Sequence, residues 1–221
     1  MSGRIKREVV ASPLPPILGK LKVGKKSEKG YPMSVDYFVA TGKYAPLFYQ
    51  RFGEKPNTLL VYFPSNDPEL VCKEEYVYRN NAGKKCASGD GETFKVWSNK
   101  INKFVRVTTD EYPNIMEIVS KKFPSQKGWE VVLTLNVVLP ELNKIFGVWT
   151  LQTKGSASSI PHIRDTFDSL LEKNGSVENV LFDLHVEFAK SDSPMGTRFP
   201  VISIVPNETQ MNINRIKMLQ Q

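Results

Sequence analysis

The stretch Trp129–Pro140, WEVVLTLNVVLP, decides the fold. Val131, Leu133, Leu135, Val137 and Leu139 alternate with Val132, Thr134, Asn136 and Val138, the period-two pattern of a strand with one face on a core. Pro140 ends it, since proline has no N–H to give to a ladder. After the turn ELNKIFG the pattern resumes over 147–153, with Val148, Thr150 and Gln152 on one face and Trp149, Leu151 and Thr153 on the other. Ile160, Ile163, Phe167, Leu170 and Leu171 then recur at helical spacing. Ser158-Ser159 and Pro161 mark that helix's start and Asn174-Gly175 its end. Val180, Phe182, Leu184, Val186 and Phe188 alternate with Leu181, Asp183, His185 and Glu187, and Val201–Val205 closes the block after the loop SDSPMGTR. The order over 129–206 is β-β-α-β-β. It predicts an α+β protein with a mainly antiparallel sheet and this C-terminal unit as a two-layer core that can fold around its own helix.

Working outward, residues 1–16 read as a flexible basic and proline-rich arm, because Pro13, Pro15 and Pro16 cannot sustain a helix. Residues 17–128 form a β-rich N-terminal part, and 207–221 a C-terminal tail; 17–206 can also form one domain. Ile17–Val23 and Ser34–Thr41 predict a hairpin with Lys20 and Lys22 on one strand face, Lys25, Lys26 and Lys29 in the turn, and Tyr31, Tyr37 and Phe38 beside it, Phe38 entering the core. A short helix is expected over 45–52, stopped by Gly53, then a buried strand over 59–63. Asp67-Pro68 can start a short helix through Val71, with Tyr76, Val77 and Tyr78 against it; NNAGKKCASGDGE, 80–92, reads as a loop. Residues 93–97 and 103–107 predict a hairpin, and 115–123 an amphipathic helix.

The 221 residues, 40% hydrophobic and 24% charged, describe an ordinary globular chain. No apolar run is long enough to span a bilayer and the N-terminus lacks an apolar signal core, so no membrane partner and a cytoplasmic location are expected. Net charge is +7. Residues 1–31 hold eight Lys/Arg against two Glu, a net of +6, leaving +1 for the other 190. A concentrated basic arm on a nearly neutral body suits a polyanion, since clustered cations release counterions from nucleic acid. Arg4, Lys6, Arg7, Lys20, Lys22, Lys25, Lys26 and Lys29, with Tyr31 and Tyr37 for base stacking, are the candidate nucleic-acid-binding residues. The plainer reading is a solvated N-terminus that aids solubility.

Other chemistry is thinly supported. Zinc would need Cys72, Cys86, His162 and His185, none of them paired at knuckle spacing, so Cys72 and Cys86 are weak metal candidates and no cofactor is expected. No cysteine-protease signature surrounds either thiol. Ser88–Glu92, SGDGE, lacks the spacing of a phosphate or calcium loop and reads as a tight turn. Asp165 with Asp168, and Asp183 with Glu187, read as solvated acidic faces and not as a nuclease centre. Lys154, Gly155, Ser156, Ser158 and Ser159 form the most credible anion-binding turn, with plain N-capping as its alternative. No catalytic residues emerge, so a non-enzymatic protein is expected.

Several stretches carry a family resemblance: ILGKLKVG and KGYP followed by DYF, YQRFGEKPNTLLVYFP, KCASGDGE, and above all LNVVLPELNKIFGVWTLQTKGSASSI. Together, from about Ile17 to Pro206, they resemble recombination directionality factors of large serine integrases in phages. Members of that family often carry cysteines after the GDG loop; here Cys86 precedes it and none follows, which argues against zinc. The resemblance implies a non-enzymatic accessory protein of a phage or mobile element that binds a serine integrase or other recombination protein on DNA and controls the direction of recombination. The alternative is a general single-stranded or duplex nucleic-acid-binding protein of phage replication or recombination. An enzyme acting on nucleic acid would need a catalytic cluster that the sequence does not present.

Overall fold

The computed structural model describes residues 14–142, 144–178, 180–191 and 196–207. Eleven strands and four helices follow one another: β1 (Ile17–Lys26), β2 (Pro32–Thr41), α1 (Ala45–Phe52), β3 (Thr58–Val61), α2 (Pro68–Val71), β4 (Cys72–Arg79), β5 (Lys85–Gly89), β6 (Thr93–Ser98), β7 (Lys103–Thr108), α3 (Ile115–Lys122), β8 (Trp129–Val137), β9 (Val148–Thr153), α4 (Ser159–Asn174), β10 (Phe182–Lys190) and β11 (Arg198–Pro206). A 3₁₀ turn, Pro140–Leu142, links β8 to β9.

The strands make two sheets. The large one has the order β2-β1-β9-β8-β4-β5-β6-β7 and the small one β11-β10-β3. Every pairing is antiparallel except β1 with β9, so the expected α+β fold with a mainly antiparallel sheet is present. The β-β-α-β-β order is present too, but its strands divide. β8 and β9 join the large sheet, whereas β10 and β11 pair with each other and with β3, through Phe182–Val61 and Leu184–Leu59. Alternation along a strand reveals which face is buried but not which strand lies alongside.

One hydrophobic cluster joins the two sheets through α4. Ile160, Ile163, Phe167 and Leu170 of the helix meet Leu133 and Leu135 of the large sheet and Ile202 and Ile204 of the small one. Phe63 lies edge-on to both Phe167 and Phe182, with centroids 5.0 and 5.2 Å away. The same cluster takes in Leu18, Phe38, Phe48 and Leu59, so residues on both sides of the 128/129 junction share one core. Even the proline-rich segment takes part: Leu14 packs on the cluster, and the Pro16 carbonyl accepts a 2.9 Å hydrogen bond from the Val148 N–H.

Two sequence expectations need correction. β4 replaces the ambiguous stretch around Tyr76–Tyr78, and Lys85–Gly89 within the expected loop is the strand β5. Its Cys86, Ala87 and Ser88 are all buried. The side chains are small because the neighbours fill the space. A Cβ on Gly89 would stand 2.2 Å from the Thr93 carbonyl oxygen and 2.6 Å from the Phe94 ring. This end of the sheet has its own core, with Tyr78, Ala87 and Phe94 under Ile115 and Val119 of α3. Lys25 and Lys26 belong to the β1–β2 ladder, opposite Met33 and Pro32, leaving only Lys29 of the three lysines in the turn.

Candidate nucleic-acid interface

The basic tip of the β1–β2 hairpin is built by its register. Lys20 and Lys22 pair with Thr41 and Val39 and are exposed. Beyond Lys22 the register shifts, and pairing resumes at Gly24–Ser34 with the extra residues on β2. Within that irregular stretch Val35 and Phe38 turn into the core, fixing Phe38 as expected, while Tyr37 stays half-buried. Two ammonium groups flank the Tyr37 ring: Lys25 Nζ is 5.6 Å from its centroid and Lys55 Nζ 5.9 Å. A hydrogen bond with the Tyr37 side chain, and its charge, raise the Lys25 pKa above the ordinary lysine value. Tyr31 is 69% exposed at the tip, beside a shallow groove lined by Lys25, Lys26, Glu28, Lys29 and Met33. Lys20 through Lys26 therefore present a basic strip of roughly 20 Å at about 3.3 Å per strand residue. Such a strip can engage successive phosphates without reading sequence. Arg4, Lys6 and Arg7 lie outside the described residues.

The other candidates take ordinary places. The turn before α4 uses its own amides: the Ser156 N–H donates to the Lys154 carbonyl, and the Ser158 and Ile160 N–H groups to that of Gly155. Lys154 Nζ is 2.6 Å from Glu130. Ser158, at the N-cap, makes no side-chain capping bond, and the buried Ser159 hydroxyl accepts from the Ile202 N–H at 2.9 Å. That serine ties the helix to β11.

Cys72 and Cys86 are buried in different clusters, and burial pushes the Cys72 thiol up to about 12. Among the described residues no three His, Cys, Asp or Glu side chains gather as a metal group would require. His162 is exposed, and His185 Nδ1 lies 2.8 Å from the Thr58 hydroxyl. Asp90 folds the SGDGE turn by accepting from the Glu92 and Thr93 amides at 2.9 and 2.7 Å, which hold its carboxyl below the usual range; Gly91 has φ +110. Asp168 pairs with Arg164, and Asp183 accepts from Asn207.

A second cationic region was missed by reasoning from the N-terminus. Residues 93–108 hold Lys95, Lys100, Lys103 and Arg106 and no acidic residue. They form the β6–β7 hairpin, whose outer strand is the far edge of the large sheet. From β1 to β6 and β7 there are five to six strand spacings of about 4.8 Å each, so the two basic regions stand roughly 24–29 Å apart, about three screening lengths at physiological salt. A windowed charge scan would have found the hairpin.

A family model described as Gp3-like, recombination directionality factor-like, matches residues 18–207. The chain belongs to that family. The match runs from the second residue of β1 to just past β11, and so spans both sheets. No curated protein and no solved structure gives a significant match. Membership in the recombination directionality factor-like family gives the chain an accessory role in phage recombination. No described helix is long and apolar enough to cross a membrane.

Proposed function

We propose that this protein is a non-enzymatic accessory factor that binds a serine integrase on DNA in the bacterial host cytoplasm and turns recombination from integration toward excision. The observation that carries the reading is the recombination directionality factor-like match across the whole described fold. The β1–β2 tip, with its exposed lysines and the Lys25–Tyr37 pair, supports a DNA contact. A factor that bound both integrase arrangements equally would change nothing; it must favour the excision-competent one. Moving a population from 1:99 to 99:1 needs a differential of roughly 10⁴-fold. That demand favours a broad protein contact over a few phosphate contacts, which are the same in both arrangements.

The test is recombination in vitro with the serine integrase of the same phage. Adding this protein should start recombination between the two hybrid attachment sites and suppress it between the original phage and bacterial sites. If neither reaction changes, and the integrase supershifts no protein–DNA complex, the reading is wrong.

A further inference from the structure

The β6–β7 hairpin carries flat rings and cations on one face. Directly opposed residues of an antiparallel ladder share a face, and so do residues two apart. The register therefore sets Lys95 opposite Arg106 and, on the next such rung, Trp97 opposite Phe104. The two rings meet edge to face with centroids 5.3 Å apart and an interplanar angle of 72°. Phe104 is 42% exposed. The other face of the hairpin holds Phe94, Val96 and Val107 and packs on α3, so the aromatic rung is not the core side. Asn102, with φ 50, makes the tight return in a left-handed conformation that asparagine tolerates.

Charge selects the occupant. Lys95, Lys100, Lys103 and Arg106 have no ion-pair partner among the described residues. The carboxylates that line the groove beside Lys95 and Arg106 are already engaged: Glu75 with Lys85, Glu69 with Lys73, and Asp90 with backbone amides. A protein partner chosen by the rings alone would not need Lys95 and Arg106 free on the same face. Duplex DNA would meet the cations but hides its base faces in the stack. An unpaired strand offers both phosphates and exposed π-faces. We propose that the β6–β7 hairpin binds single-stranded DNA, with bases stacking on Trp97 and Phe104 and phosphates held by Lys95 and Arg106. The choice of DNA over RNA rests on the recombination reading; the stacking site does not.

The test is a fluorescence-anisotropy titration of the full chain against labelled oligo(dT) of roughly twenty nucleotides, longer than a typical single-strand site, and against a duplex of equal length. The wild type should favour the single strand by about tenfold or more. Phe104→Leu keeps an apolar side chain but removes the ring. At 1–3 kcal/mol per stacked base, it should weaken oligo(dT) binding by roughly 5- to 150-fold and leave duplex binding unchanged. Lys95→Gln with Arg106→Gln, both at exposed positions, should lower the log K against log[salt] slope on the single strand by about 1.4, at ~0.7 per phosphate contact. Equal or tighter duplex binding, or an unaltered oligo(dT) affinity in Phe104→Leu, would overturn the proposal. Should Phe104→Leu shift the urea midpoint, the double lysine–arginine variant decides through its salt slope, and an unchanged slope overturns it. Loss of this binding with recombination control intact would separate the site from the integrase reading.

Discussion

Arg164 of α4 donates from Nη1 to the Glu74 carboxylate of β4 at 2.6 Å, while its Nη2 lies 3.4 Å from Asp168 one turn along the same helix. The guanidinium thereby links the helix to a strand whose neighbours continue to the far edge of the sheet. Burial lowers the Arg164 pKa and the Asp168 and Glu74 charges raise it, with a net upward shift. Both partners of the bridge are about one-third exposed, at 39% and 33%. Glu74→Gln should therefore cost only about 0.5–1 kcal/mol, the range for half-solvated pairs. An unfolding free energy lower by that amount in urea titration checks it, and the loss should shrink in high salt.

The small residues of β5 leave far less tolerance. Gly89→Ala adds a methyl group where the Thr93 carbonyl oxygen would be 2.2 Å away, and that atom is backbone and cannot swing aside. Overpacking of this kind costs about 1–3 kcal/mol. Urea unfolding should show the penalty, whereas alanine at Lys100 in the exposed β6–β7 turn should change stability by no more than about 0.5 kcal/mol.

Cys72 makes stability depend on pH in the alkaline range. Its thiol rises from 9.0 to about 12 in the folded chain, chiefly because burial disfavours the thiolate. A raised folded pKa means that this contribution is fully present below pH 9 and is lost as pH climbs toward 12. Cys72→Ala should flatten the fall in stability over that window. In the folded protein at pH 8, Cys72 should resist a thiol reagent and react once urea unfolds the chain.

Replacing Lys20, Lys22, Lys25, Lys26 and Lys29 with Gln should flatten the salt dependence of duplex binding. At ~0.9 per phosphate contact the slope can fall by as much as about 4.5. Integrase capture should survive, because a protein contact does not depend on those charges. An unchanged salt slope removes the β1–β2 tip as the DNA contact.

The elements legible in the sequence were those whose signals are local. α1 was bounded by Gly53, which closes it at φ 79, and α4 by Gly175 in the left-handed region. β8 and β9 were written in strict alternation. β5 was not legible. Lysine, glycine and serine usually mark loops, and it is the Thr93 carbonyl and the Phe94 ring across the sheet that explain why glycine is needed at 89. The division of strands between two sheets was equally hidden, since Leu59 and Phe182 each show a buried face without naming a partner. For the candidate interface, the basic composition of the first hairpin was visible, but the approach of Lys25 and Lys55 to Tyr37 depends on extra residues in β2 that no local pattern announces. The β6–β7 hairpin was expected as a hairpin; its charge was overlooked because the net value of +1 for residues 32–221 averages it away.

The parallel pairing of β1 with β9 sets an order of events at the ribosome. Ile17 pairs with Val148, so the first strand made waits for more than a hundred further residues before its inner edge is satisfied. Until then β1 and β2 form a two-stranded ribbon, marginal alone in water, while β4 through β7 can pair one with the next as they emerge. Only β8 and β9 join these two fragments. A chain halted before residue 129 therefore holds two unjoined pieces with bare strand edges, the form most open to chaperones, proteases and aggregation. The interval before the segment 129–153 is made is therefore the interval over which those edges stay bare.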